Sequence, residues 1–302
     1  MAALLTMLLA MCGACSSEEE EILAAAEDVE STDSLMTVTF QTGVPVDSDA
    51  VLTRSAGDGK KADVLYYILY NGEGTKIIDT NVGGTPIAVR SNKTAAVEFR
   101  VNPGKTYHVV FWAQSSELSV YTLNAYTMTM TMPDYSTIPV NDDRYDAFFY
   151  TGEFTPHRGT PIESITLKRP FTLLKAAIKT SYITAGTYKQ PYYATIYHDA
   201  YTTLNLWTGR ATGYQTFMHF KYNYVDNDYD MTVTNSKNYP GDYTFVAFGY
   251  ALADTETLYN LVADFNYYDS SMSYVFDALD EMTSGVLTST LKRNARVTMY
   301  FH

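Results

Sequence analysis

Five histidines, two cysteines and a surplus of carboxylates are the residues in this chain that could carry catalysis or hold a metal. The histidines are His108, His157, His198, His219 and His302, and no two stand at i, i+4, so the helical His-Glu-x-x-His zinc motif is absent. The chain has no Gly-x-Ser-x-Gly nucleophile elbow and no phosphate-binding P-loop, and Gly57-Asp58-Gly59 reads as a turn. Asp226, Asp228 and Asp230 alternate like the opening of a calcium loop. Such a loop needs Gly at its sixth position and Glu at its twelfth, where this chain has Met231 and Lys237. These aspartates are therefore a weak metal candidate, and a hairpin loop with solvated acids fits them better. Asp142, Asp143 and Asp146 surround Arg144, which offers local charge balance. Paired carboxylates can hydrolyse glycosides, but in an acidic chain such groupings arise by chance. The reading is a protein that is not an enzyme and needs no cofactor or metal.

The elements that would position these residues are strands. The 302 residues carry a net charge of −13, which argues against a nucleic-acid partner, because phosphate binding needs a basic footprint. Apolar residues make up 46% of the chain and charged ones 18%, enough to build real cores. Tyrosine dominates the aromatics, with 27 copies against 14 Phe and 2 Trp, and it favours strands and half-wet surfaces. From Leu35 the apolar period is two: Val38 and Phe40 alternate with Thr37 and Thr39. Similar short runs, bounded by Gly, Pro, Asn or Asp, recur to the end at ARVTMYFH. Asn102-Pro103-Gly104 between TAAVEFRV and KTYHVVFWA predicts a hairpin. FTLLKAAIKT directly follows Pro170, is rich in β-formers and reads as a strand, whereas Val275 to Thr283 could hold a helical turn. No clear sequence repeat stands out. A β-sandwich takes roughly 100 residues, so the fold class is all-β, with two β-sandwich domains over 35–165 and 166–302.

The N-terminus reads as an export address. Ala2 to Met11 is an uncharged apolar run, too short for a spanning helix and suited to a signal-peptide core. The Gly13-Ala14-Cys15 stretch that follows resembles the bacterial lipobox, although no Lys or Arg precedes the apolar run. The resemblance implies cleavage after Ala14 and lipidation of Cys15 within a signal segment of residues 1–15. Cys12 and Cys15 are the only cysteines, so the mature fold has neither disulfides nor thiol chemistry. SSEEEE follows directly and is similar to the surface-export signal of Bacteroidetes lipoproteins, opening an acidic tether over 16–34. Asp33-Ser34-Leu35 resembles an O-glycosylation pattern of that phylum, with Ser34 as acceptor.

Six further stretches occur in one order: LTRSAGDG (52–59), VLYYILYNGEG (64–74), YHVVFWAQ (107–114), RYDAFF (144–149), ITLKRPF (165–171) and LKRN (291–294). Together they resemble the fimbrillin-like surface lipoproteins of Bacteroidetes, and within them the domain family DUF6562. The resemblance implies transthyretin-like or Ig-like sandwiches, an outer-membrane, surface-exposed location with the lipid on Cys15, and a role in fimbria-like assemblies. Its partners would be other fimbrial subunits or further copies of the chain, and a host or dietary glycan or protein. In fimbrillins an arginine-specific protease removes the first strand and a neighbour's strand fills the groove, which is β-strand addition. Arg54 stands where the pattern puts that cut. One departure is that the chain stops directly after an alternating strand, which could complete its own sheet instead of serving as a donor. The alternative function is a surface glycan-binding lipoprotein, with an aromatic platform around Trp207 or Tyr222 to Tyr229.

Overall fold

The computed structural model describes residues 35–46, 57–118, 120–159, 163–179, 191–223, 243–254, 257–258, 261–267, 290–291, 293–294 and 296–301. Strands dominate it. They run, in chain order, β1 (Met36–Gly43), β2 (Val64–Asn71), β3 (Ile77–Thr80), β4 (Ile87–Ala88), β5 (Thr94–Val101), β6 (Tyr107–Gln114) and β7 (Thr122–Asn124). Next come β8 (Thr129–Thr131), β9 (Phe148–Phe154), β10 (Glu163–Thr166), β11 (Phe171–Lys179), β12 (Pro191–Ala200), β13 (Thr203–Asn205) and β14 (Ala211–Thr212). The last are β15 (Gln215–Asn223), β16 (Tyr243–Leu252), β17 (Thr257–Leu258), β18 (Leu261–Tyr267), β19 (Thr290–Leu291) and β20 (Arg296–Phe301). The fold is an all-β sandwich, as the period of two predicts, and the run from Phe171 is a strand.

The alternation explains the first sandwich. Val38, Phe40 and Thr42 of β1 and Ala95, Val97, Phe99 and Val101 of β5 turn inward, while Glu98 and Arg100 stay outside. This sheet, in the order β10-β1-β5, closes over the sheet β3-β2-β6-β9. Every residue of β6 is buried, so the second sheet is covered on both faces. Val109, Phe111 and Ala113 face the first core. Val110 and Trp112 join Ile68 and Tyr70 in a second core with Phe171, Leu173, Tyr250 and Leu252.

The turn at Asn102-Pro103-Gly104 corrects one expectation. β5 and β6 do not form a hairpin: β5 pairs with β1, and β6 pairs with β2 and β9. The chain arches from one sheet to the other across the core. Gly104 supplies a φ of +80° there, and the backbone amide of Asn102 donates to the Tyr107 hydroxyl (3.0 Å). Turn residues signal a reversal of direction. Whether the two strands then pair or face each other depends on both carrying a full apolar face toward the same core, as these do.

The pairing scheme occurs twice. β1 lies between an antiparallel β5 and a parallel β10, and β11 lies between an antiparallel β16 and a parallel β20. Likewise β2 is flanked by β3 and β6, and β12 by β15 and β18, all antiparallel. The final strand, β20, therefore completes its own sheet. A sequence repeat accompanies this scheme at one place: TLNAYTMTMT (122–131) and TLNLWTGRAT (203–212) each build a small hairpin. The hairpins lie side by side in one sheet, β14-β13-β8-β7, with Leu204 opposite Met130.

Candidate functional site

β1 and the segment that follows it form the candidate site. All eight residues of β1 pair with β5, and Phe40 to Gly43 also pair with β10, so the strand is hydrogen-bonded from both sides. Phe40 is its apolar anchor, in edge or tilted contact with Phe99, Phe111 and Phe154. The chain leaves β1 at Val44, whose amide donates to the Lys93 carbonyl (2.9 Å). It is pinned again at Gly57, whose amide donates to Asp143 Oδ1 (2.8 Å) and whose carbonyl accepts from Arg169 Nη2 (2.8 Å). The two ends are adjacent: a Cβ on Gly59 would fall on the Pro45 carbonyl oxygen, and glycine's φ of +75° sets the turn there. Lys93 Nζ donates to the Lys60 and Ala62 carbonyls and holds the returning turn against the β4–β5 connection.

The pin at Gly57 belongs to a buried polar network. Arg169 Nε and Nη2 donate to the two oxygens of Asp146 at 2.6 and 2.7 Å, and the guanidinium lies 5.0 Å from the centre of the Phe148 ring. The side chains are 6% and 1% exposed, so this is a desolvated, bidentate ion pair. Asp143 accepts from the Gly57 amide and from the Tyr250 hydroxyl (2.7 Å). Desolvation raises its pKa to about 6, against the opposing pull of those two hydrogen bonds, with Asp146 and Asp58 adding to the rise.

Asp143 therefore costs stability when ionised. Its folded pKa lies above the ordinary 3.8, so the folded state holds its proton more tightly. Its contribution to stability falls as pH climbs from about 4 to about 6 and is level above that range. Asp143→Asn keeps an acceptor for Gly57 and Tyr250 and should stabilise the protein by about 1–3 kcal/mol at pH 7.5, with no gain at pH 3.5. Urea melts at the two pH values measure this, and equal gains at both would refute it.

The remaining sequence candidates fall in several places. Cys15, Ser34, Arg54, Asp226, Asp228 and Asp230 lie outside the described residues, as do the helical turn in 275–283 and Tyr224 to Tyr229. Asp142 pairs with Arg144 at the surface (2.6 Å), Asp143 holds Gly57, and Asp146 holds Arg169, so the three carboxylates serve three separate contacts. Trp207 is half-buried. One of its faces stacks on His108 (3.8 Å, 15° between planes), and its ring meets Tyr70 edge-on. Among the described residues no group of three His, Cys, Asp or Glu side chains could hold a metal ion. Sequence reasoning missed Arg169 and Tyr250. The signal for Arg169 was its place in ITLKRPF, while Tyr250 sits unmarked in an apolar strand.

The fold is that of a two-layer β-sandwich protein whose pairing scheme is duplicated. The chain belongs to the DUF6562 family, a family of unknown function, whose model matches residues 30–281. No curated protein matches the sequence. Among solved structures it is similar to a candidate adhesin of Bacteroides thetaiotaomicron, with a TM-score of 0.53 and 11% identity, over 87% of this chain and 90% of that one. It is also similar to a candidate cell adhesion protein of Bacteroides uniformis, with a TM-score of 0.50 and 13% identity, over 87% of this chain and 92% of that one.

Proposed function

We propose that this protein is a non-enzymatic cell-surface lipoprotein, a structural or adhesive component of fimbria-like assemblies. Lipid on Cys15 anchors it to the outer membrane, Ser34 on the acidic tether accepts the glycan, and residues 35–165 and 166–302 form its two domains. Assembly proceeds by β-strand addition after a cut at Arg54. One observation carries the reading: β1 occupies the middle of a three-stranded sheet, and the only covalent route from it to β2 passes through Arg54. Loss of β1 would open a groove between β5 and β10 lined by the β1 core contacts, and a strand from another subunit could fill it with backbone hydrogen bonds. The pins at Val44 and Gly57 support a cut that leaves both flanking segments in place.

Digestion with an arginine-specific protease, followed by N-terminal mass spectrometry and light scattering, tests this. The expected result is cleavage confined to Arg54 and then multimers. A chain that resists the cut, or stays monomeric after it, argues for the second reading, a stand-alone surface glycan-binding lipoprotein. The hydroxyl-rich outer face of the sheet β14-β13-β8-β7 favours that second reading.

A further inference from the structure

The repeated hairpins build an ordered polar surface. Their register sets Thr122, Thr131, Thr203 and Thr212 in one row across all four strands. Asn124, Thr129 and Asn205 form a parallel row two residues along. Between the rows, Met130, Leu204 and Ala211 point the other way into the core. Directly opposed residues share a face and alternate residues return to it. Both polar rows therefore lie on the outward side, where Thr122, Thr131, Thr212 and Asn124 are exposed.

The hydroxyls of the threonine row make no hydrogen bond within the described protein, whereas the asparagines have a folding task. Asn124 Oδ1 accepts from the amides of Tyr126 and Thr127, and Asn205 Oδ1 from those of Trp207 and Thr208. Each asparagine thus shapes its turn through its oxygen and keeps its amide NH₂ for other use. The first turn also lifts Tyr126 into solvent, where it is 89% exposed. At the equivalent place in the second hairpin Trp207 folds back onto His108. The residues of the two rows are uncharged, and the arginine that continues the second row beside Asn205, Arg210, is paired with Asp254 (2.8 Å).

We infer that this face binds a neutral glycan chain, the threonine hydroxyls and asparagine amides meeting sugar hydroxyls across the strands while Tyr126 stacks on a ring at one end. Threonine offers both a donor and acceptors, which suits sugar hydroxyls that also do both. Strands repeat every ~4.8 Å, comparable to the length of a sugar ring, so successive rings can meet successive strands. The pairing of Arg210 with Asp254 leaves the face poorly suited to an acidic polysaccharide or a phosphate. An exposed aromatic ring beside such an array supplies the apolar contact that sugar faces need.

The inference concerns the adhesive activity of the proposed surface protein and stands apart from how that protein is anchored or assembled. The test is native affinity electrophoresis of the full chain in mild detergent. The gels contain hydroxyethyl cellulose, galactomannan or glycogen, with polygalacturonate as the anionic control. Retardation by at least one neutral polymer and none by polygalacturonate is expected. Tyr126→Ala and the double variant Thr131→Val/Thr203→Val should each weaken it by about tenfold. Unchanged thermal melts would show that these variants keep the fold. No retardation in any neutral gel, or retardation that survives both variants, overturns the inference. Protease shaving of intact cells separately tests surface display, and its failure would sink the proposed function without touching the glycan result.

Discussion

Replacing Arg169 with methionine should destabilise the protein by about 3–5 kcal/mol, the usual result of removing one member of a buried ion pair. Asp146 would lose both hydrogen bonds from Arg169 and keep its charge in a site where it is 1% exposed. The Gly57 carbonyl would lose the Arg169 Nη2 donor, and the Phe148 ring would lose the cation beside it. Urea denaturation at pH 7.5 measures the loss. The double variant Asp146→Leu/Arg169→Met removes both charges and should recover most of it, because apolar replacement of a whole buried pair is close to neutral. A single variant that costs under about 1 kcal/mol would place the pair with ordinary surface salt bridges. The surface pair Asp142–Arg144 is the internal comparison, since its arginine is well exposed.

The same pair shows how far the sequence could be read. The stretches 52–59, 144–149 and 165–171 looked like separate scraps of pattern, and in the fold they meet: Gly57, Asp146 with Phe148, and Arg169 make one cluster. Spacing along the chain held no hint of that meeting, because nothing local links a turn glycine to an arginine 112 residues away. Strands were legible because alternation is a local signal, visible in Val38 and Phe40 before any partner is known. Partner choice was not. The TAAVEFRV and YHVVFWAQ strands carry the same period whether they pair or face each other, so the arch at Asn102-Pro103-Gly104 read as a hairpin. The TLN repeat is only ten residues long and did not stand out in the sequence, and it gained meaning when Leu204 fell opposite Met130. The Asp142–Asp143–Asp146 cluster was legible as charge, yet the different partners of its members depended on burial by distant segments.

Phe40→Ala should cost about 3–5 kcal/mol, as for other fully buried aromatics cut back to the β-carbon. Phe40 is 2% exposed and touches three other rings, from β5, β6 and β9, so no single neighbour can collapse into the space it leaves. The variant also separates two contributions to the seating of β1. Backbone pairing with β5 and β10 is unchanged by it, whereas the apolar seat is emptied. If the cut at Arg54 takes place as proposed, departure of the wild-type strand should be the slow step that precedes multimers, since severing the chain removes neither set of contacts. The nicked Phe40→Ala protein should lose the fragment on size exclusion and exchange a synthetic β1 peptide faster than the nicked wild type. Equal retention would mean that the backbone ladder alone holds the strand. Strand replacement would then depend on the incoming segment's hydrogen bonds and hardly on the side chain it offers at the Phe40 position. Faster release would instead make that position the one at which an incoming strand is selected, because only an aromatic side chain can restore the contacts with Phe99, Phe111 and Phe154.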